Sequence, residues 1–133
     1  MATQISPMLA VSDPKAAVAF YEAAFGATVS WVVDNGGVAG LQIGGADFFL
    51  AEATPEYGTQ GPDVAGFTTI RIELFVDDPH AVLARAVAAG ATERSPITEY
   101  DYQTKGARPL PRMLQGSVTD PFGHRWLIGK FLA

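Results

Sequence analysis

The chain has 133 residues, of which 48% are hydrophobic and 17% are charged, and its formal net charge is −5. This composition is typical of one globular domain with enough apolar material for a single core. The acidic balance argues against nucleic acid or an anionic membrane as a partner, because phosphate binding needs clustered lysine and arginine. The sequence has no cysteine, which excludes disulfides, thiolate nucleophiles and cysteine-based zinc sites.

The N-terminal segment has neither the basic nor the long apolar part of a secretion signal. No stretch of the sequence approaches the ~20 apolar residues that a membrane-spanning helix needs. We therefore expect a soluble, cytoplasmic protein that does not bind membranes.

The sequence contains an internal repeat, in which the segment 9–27 returns as 74–91. Such a short repeat predicts two copies of one structural unit that share a core and form a site between them. We expect a single domain over 1–133, with one module at 5–52, a second at 67–131 and a linker at 53–66. The matching positions are Leu9 with Leu74, Asp13-Pro14 with Asp78-Pro79, and Gly26-Ala27 with Gly90-Ala91.

Each copy of the repeat predicts one helix. Asp13 and Asp78 are good N-cap residues, and the proline that follows each of them suits the first helical position, where a missing N–H costs nothing. Gly26 and Gly90 predict the helix ends, because glycine accepts the left-handed conformation found there.

Three strands are predicted after each helix, separated by glycine-rich turns. Asp120, Pro121 and Gly123 suit positions i, i+1 and i+3 of a type I turn before the last strand. The segments 52–66 and 100–112 are predicted to be irregular, and the second is the better candidate for a loop over a binding site. The predicted strands are 8–11, 28–33, 38–43, 47–51, 70–76, 92–98, 113–119 and 124–131.

The pattern V-x-D-P before each helix, F-G-A after the first helix and D-P-F-G-H-R-W before the last strand resembles the vicinal oxygen chelate superfamily. That group includes glyoxalase I, bleomycin resistance proteins and extradiol dioxygenases. The resemblance implies an α+β fold of two βαβββ modules, whose curled mixed sheets form a cup with the helices outside. It also implies a homodimer. A ferredoxin-like sandwich explains the helices but not the three strands after each.

The resemblance also implies where a metal would lie. Metal-binding members take ligands from the first and last strand of each module, and these positions correspond here to Ser6, Phe49, Arg71 and Leu127. None of the four is an imidazole or a carboxylate. We therefore expect no metal or other cofactor, and a metal held in an unfamiliar way stays open as an alternative.

Strand alternation predicts which side chains face into the cup. In 69–76 the isoleucines, Leu74 and Val76 face the helix, which leaves Arg71 and Glu73 on the concave side. The predicted ligand-binding residues are Arg71, Glu73, Arg125, Phe49, Gln42, Trp31, Tyr100 and Tyr102, with Glu73 also the candidate catalytic base.

Each of these residues has a structural alternative. Arg71 and Glu73 can simply form an ion pair, Trp31 can belong to the core or a dimer interface, and the tyrosines can belong to an ordered surface loop. His124 is expected to make a structural hydrogen bond, and His80 to be solvated.

The sequence favours a metal-independent protein that holds a planar or aromatic small molecule in the cup. An alternative is a glyoxalase-like isomerase or lyase, or a dioxygenase-like enzyme, with Glu73 as base and an arginine steadying an oxyanion. A third is an assembly or regulatory module whose cup is filled by its own side chains.

Overall fold

Two four-stranded sheets form the framework in the computed structural model, which describes residues 2–133. The first sheet has β1 (Met8–Val11), β2 (Thr28–Val32), β3 (Val38–Ile43) and β4 (Ala46–Glu52), and the second has β5 (Ile72–Phe75), β6 (Thr92–Tyr100), β7 (Met113–Thr119) and β8 (Arg125–Phe131). The helices are α1 (Pro14–Phe25), α2 (Pro62–Ala65) and α3 (Pro79–Ala89), and a 3-10 turn spans Pro55–Tyr57.

The two sheets have the same topology. The strand orders are β1-β4-β3-β2 and β5-β8-β7-β6. In each sheet the first strand runs parallel to the last, and the other pairs are antiparallel. The predicted α+β fold of two βαβββ modules is therefore confirmed.

The helix boundaries follow the predicted capping residues. The carboxylates of Asp13 and Asp78 each accept a hydrogen bond of 3.1 Å from the backbone N–H three residues later. Gly26 ends α1 with a φ of 67°, which is the left-handed conformation that favours glycine.

The hydrophobic core joins the two modules. Tyr21 and Phe25 of α1 pack on Trp126 of β8, with ring centroids 5.4 and 4.6 Å away. Phe48 of β4 contacts the same indole at 5.6 Å. The Arg85 guanidinium of α3 donates to the Ala23 carbonyl at 2.7 Å, near the end of α1 where carbonyls lack helical partners.

The structure differs from the sequence prediction by more than one residue in the linker, in β5 and in β6. The linker 53–66, predicted to be irregular, contains α2, which begins at Pro62 and is followed by Gly66. β5 begins at Ile72 rather than at residue 70. β6 continues to Tyr100 instead of ending at residue 98, because it is an edge strand whose two irregularities, on either side of Ser95, accommodate Pro96.

Within residues 2–133, no helix is both long and apolar enough to cross a membrane.

Candidate functional site

The concave face of the second sheet encloses a cavity of about 500 Å³. It lies between the segment that leads into β5 and the strands β6, β7 and β8. Polar groups dominate its wall, and Leu127 adds an apolar surface. The side chains that matter for its chemistry are Arg71, Tyr100, Gln115, Ser117, Arg125 and Leu127.

Strand alternation sets this lining. On β8, Trp126 and Ile128 are buried against the helices, with exposures of 1% and 0%. Arg125 and Leu127 therefore face the opposite, concave side, as the sequence predicts.

Arg71, Glu73 and Gln115 form a connected polar group at the cavity. Arg71 Nε lies 3.6 Å from Glu73 Oε2, and the Gln115 amide donates to Glu73 Oε1 at 3.1 Å. The ion pair is half exposed, so its contribution to stability is small. The pair predicted as the structural alternative thus forms. Arg71 lines the cavity, whereas Glu73 lies beside it, behind Arg71 and Gln115 in the chain of contacts, and is not part of the lining.

Hydroxyl and aromatic groups complete the wall. The Ser95 and Ser117 hydroxyls lie 2.8 Å apart. The rings of Tyr100 and Tyr102 stack with centroids 5.6 Å apart and an interplanar angle of 3°. Tyr100 lines the cavity, whereas Tyr102 is not part of the lining and is half exposed.

The predicted residues of the first module lie on the first sheet. Trp31 covers Gly40 and packs on Phe49, with ring centroids 5.2 Å apart. Gln42 donates to the Asp47 carboxylate at 2.8 Å. The structure does not bring Trp31, Gln42 or Phe49 into the cavity that holds Arg71 and Arg125.

The four positions that the family resemblance assigns to metal ligands do not fit a metal. Arg71 and Leu127 line the cavity, Phe49 packs on Trp31, and the Ser6 hydroxyl accepts a hydrogen bond of 2.9 Å from Gln4. A guanidinium, two hydrocarbon groups and one hydroxyl do not supply the donors that a divalent metal needs. Elsewhere in the described chain, from residue 2 onward, no three His, Cys, Asp or Glu side chains are grouped suitably either.

The histidine before β8 has the structural role expected from the sequence. His124 Nε2 lies 2.8 Å from the Ala10 carbonyl oxygen, which links the start of β8 to β1. The His124 backbone N–H donates to Asp120 at 3.0 Å.

Sequence reasoning missed two features near the site. Asp120 is a buried carboxylate that accepts hydrogen bonds from Tyr21 and Trp126. Arg94 donates from Nε to the Thr119 hydroxyl at 2.9 Å. Regular alternation puts Arg94 on the face opposite Ser95, but the bulge in β6 turns both toward the concave side.

Comparison with known proteins identifies the family. Residues 4–128 match the Glyoxalase/Bleomycin resistance protein/Dioxygenase superfamily, and the chain belongs to it. An uncharacterized protein of Mycobacterium bovis is 34% identical over 138 residues, which covers 95% of this chain and 82% of the relative.

Solved structures share the fold. A gene product of Arabidopsis thaliana is 26% identical with a TM-score of 0.68, and covers 98% of this chain and 100% of its own. TioX from Micromonospora is 22% identical with a TM-score of 0.70 and the same coverage. These structures agree with the fold, and the match of residues 4–128 to the family confirms the predicted superfamily.

Proposed function

We propose that this protein binds a small organic molecule in the concave cavity of the second sheet, without a metal, and that the ligand has a planar or aromatic part. One observation carries the proposal: a cavity of about 500 Å³ in whose largely polar wall Gln115 and Arg71 already contact Glu73. Small-molecule sites typically have this size and use fixed polar groups to orient the ligand.

The polar anchors are Gln115, which donates a hydrogen bond to Glu73, and Arg71, which forms an ion pair with the same carboxylate. Because these contacts already restrict the side chains, a ligand that meets them loses less conformational entropy on binding. Arg71 offers a planar donor fork to an acceptor on the ligand.

The planar part of the ligand would stack on Tyr100. Tyr100 lines the cavity, and its ring stacks on that of Tyr102 at an interplanar angle of 3°. A ring held in this way presents a large rigid surface at little entropic cost.

Metal independence rests on the donor set. The side chains of Ser6, Phe49, Arg71 and Leu127 give a divalent ion neither imidazole nor carboxylate. Binding must then come from hydrogen bonds, stacking and charge.

We also propose that the protein is a cytoplasmic homodimer. Met8, Ile70 and Phe75 are large apolar side chains with exposures of 53, 52 and 38%, and a second copy would remove such surface from water. Light scattering should give twice the chain mass of 14.1 kDa, and a monomer mass at micromolar concentration would refute the dimer.

A second candidate is an enzyme that uses Glu73 as a general base. The favouring observation is that Gln115 and Arg71 both hold this carboxylate beside the cavity. For such an enzyme, Glu73→Gln should abolish turnover of a bound compound while leaving its affinity nearly unchanged. If Glu73→Gln reduced turnover and affinity to the same extent, Glu73 would be a binding residue and not a general base.

A heat-stability screen tests the binding proposal. Bleomycin-like, quinone-like and simple aromatic compounds are added to the purified protein, and a true ligand at 100 times its Kd stabilises the fold by about 2.7 kcal/mol. Tyr100→Ala should reduce the effect, while Tyr57→Ala, at a tyrosine that is 85% exposed and outside the cavity, should not. If no compound stabilises the protein, the proposal fails.

A further inference from the structure

Two arginines lie on either side of one threonine at the concave face of the second sheet. Arg125 of β8 lies directly across from Thr119 of β7 in the strand register. Arg94 of β6 donates from Nε to the Thr119 hydroxyl at 2.9 Å. This hydrogen bond uses only Nε of Arg94. The two terminal nitrogens of the guanidinium group can therefore still donate hydrogen bonds to a ligand.

Neither arginine has a carboxylate partner. The ion pairs found between residues 2 and 133 are Arg71 with Glu73 and Arg112 with Glu99. What distinguishes Arg94 and Arg125 is that both contact or lie opposite the same threonine on one face of the sheet. Two like charges on the same face repel each other, and an anion between them would offset that repulsion.

Both guanidinium groups border a second cavity of about 600 Å³. This cavity shares Thr68 and Arg125 with the ligand cavity described above, so Arg125 forms part of the wall between the two. Asp63 also borders the second cavity and is the one acidic residue among its lining side chains in the described chain.

We infer that the ligand carries an anionic group, a carboxylate or a phosphonate or phosphate, which binds between Arg94 and Arg125. The rest of the ligand then extends past Arg125 toward Tyr100, so this inference rests on the proposed function. Guanidinium groups bind such oxyanions through paired, charge-assisted hydrogen bonds. The ligand class is thus a small organic acid with a planar group. Thr119 acts as a positioning residue for Arg94.

Three matched probes test this inference on the full chain. Benzoate and phenylphosphonate carry the two kinds of anion on the same ring, and benzamide is their neutral counterpart. Chemical-shift titration by NMR gives a Kd for each. Because a hydrogen bond to a charged group is worth about 1.5–3 kcal/mol, at least one anion should bind about tenfold or more tighter than benzamide. The favoured anion identifies the headgroup.

Single substitutions then show which residues cause the tighter binding of the anion relative to benzamide. Arg94→Gln and Arg125→Gln should each reduce the anion advantage by about tenfold. Arg94 does not line the ligand cavity, so Arg94→Gln should also leave the Kd of benzamide unchanged. Asp63→Asn should strengthen anion binding, because it removes a negative charge from the cavity. Lys130→Gln is the matched control: it removes one positive charge from β8 at an exposed position outside both cavities, and should change neither Kd.

The test of Thr119 needs a measurement that does not change when a substitution only destabilises the fold. The difference between anion and benzamide binding is such a measurement. Thr119→Val should weaken binding of the anion but not of benzamide, and Thr119→Ser, which keeps the hydroxyl, should restore it. Unfolding temperatures of all variants confirm that each remains folded at the temperature of titration.

The outcomes separate this inference from the proposed function. If benzamide perturbs the cavity residues but neither anion binds more tightly, or if the anion advantage survives both arginine substitutions, the anion site is refuted and the cavity stands. If the anion advantage depends on the arginines but Tyr100→Ala has no effect, the anion site stands and the stacking surface does not. If no probe binds, the anion site is refuted.

Discussion

The hydroxyl of Tyr21 donates a hydrogen bond of 2.5 Å to Oδ2 of Asp120, a residue 99 positions later in the chain. Trp126 Nε1 donates to the same oxygen at 3.0 Å, and the backbone N–H groups of Phe122 and His124 donate to the other oxygen. These hydrogen bonds link helix α1 of the first module to the turn before β8. Because β8 carries Arg125 and Leu127, this buried network fixes one wall of the cavity.

Replacing Tyr21 with phenylalanine should destabilise the fold. The substitution removes one donor from a buried carboxylate and leaves Trp126 as the remaining donor to Oδ2. We expect a loss of about 1–3 kcal/mol in the free energy of unfolding, measured with urea. Tyr57→Phe, at a tyrosine that is 85% exposed, is the control and should change stability little. An unchanged midpoint for Tyr21→Phe would show that the network does not hold the modules together.

The same pair predicts how stability depends on alkaline pH. Burial, and then the charge of Asp120, raise the pKa of Tyr21 well above its ordinary value of 10.0. In the unfolded chain the phenol ionises near pH 10, whereas in the folded protein it stays protonated. Its contribution to stability is therefore full below pH 10 and is lost as the pH rises toward the folded pKa.

Urea unfolding of the unsubstituted protein and of Tyr21→Phe at several pH values checks this sign. The stability advantage of the unsubstituted protein should be constant below about pH 9. Above pH 10 it should fall by up to about 1.4 kcal/mol per pH unit. An advantage that grows above pH 10 would mean that the tyrosinate, not the phenol, is favoured in the fold.

A methyl group on Gly40 should displace Trp31. A Cβ at this position would overlap the indole ring, which lies over Gly40 and contacts Phe49. We expect Gly40→Ala to shift the NMR signal of the Trp31 indole N–H and to leave that of the buried Trp126 in place. Gly45→Ala is the control, since nothing lies within 4 Å of its added carbon. If neither indole signal moves in Gly40→Ala, the packing of Trp31 described here is wrong.

The helix starts and the buried face of β8 were predicted correctly because each depends on residues close together in the sequence. Helices α1 and α3 begin directly after Asp13 and Asp78, as predicted, because an N-cap is decided by a side chain and the backbone three residues away. Alternation places Trp126 and Ile128 in the core because the side-chain period of a strand is fixed.

Features that depend on irregular backbone or on distant partners escaped prediction. Arg94 turns to the concave side because of a bulge, which alternation does not reveal. Asp120 is recognisable as a turn residue, but its main partner, Tyr21, lies in the other module. The contact of Trp31 with Phe49 also depends on the arrangement of neighbouring strands. Alternation did predict that Arg71 and Arg125 share the concave side.

Metal analysis tests the donor argument. Purified protein that has been incubated with zinc, nickel, manganese or iron(II) and then desalted should retain much less than one ion per chain. The reason is that Ser6, Phe49, Arg71 and Leu127 do not form a ligand set. Stoichiometric retention of any of these metals, measured by elemental analysis, would overturn the metal-independent account.

The location of a bound small molecule tests the central proposal most directly. The protein has a competing apolar groove of about 380 Å³ between α1 and β2, bordered by Val18, Val29 and Val32. Backbone and side-chain NMR shifts are recorded while the most stabilising compound of the screen is added. We predict that the largest changes centre on Arg71, Tyr100 and Gln115. Changes centred on the three valines of the outer groove instead would contradict the account.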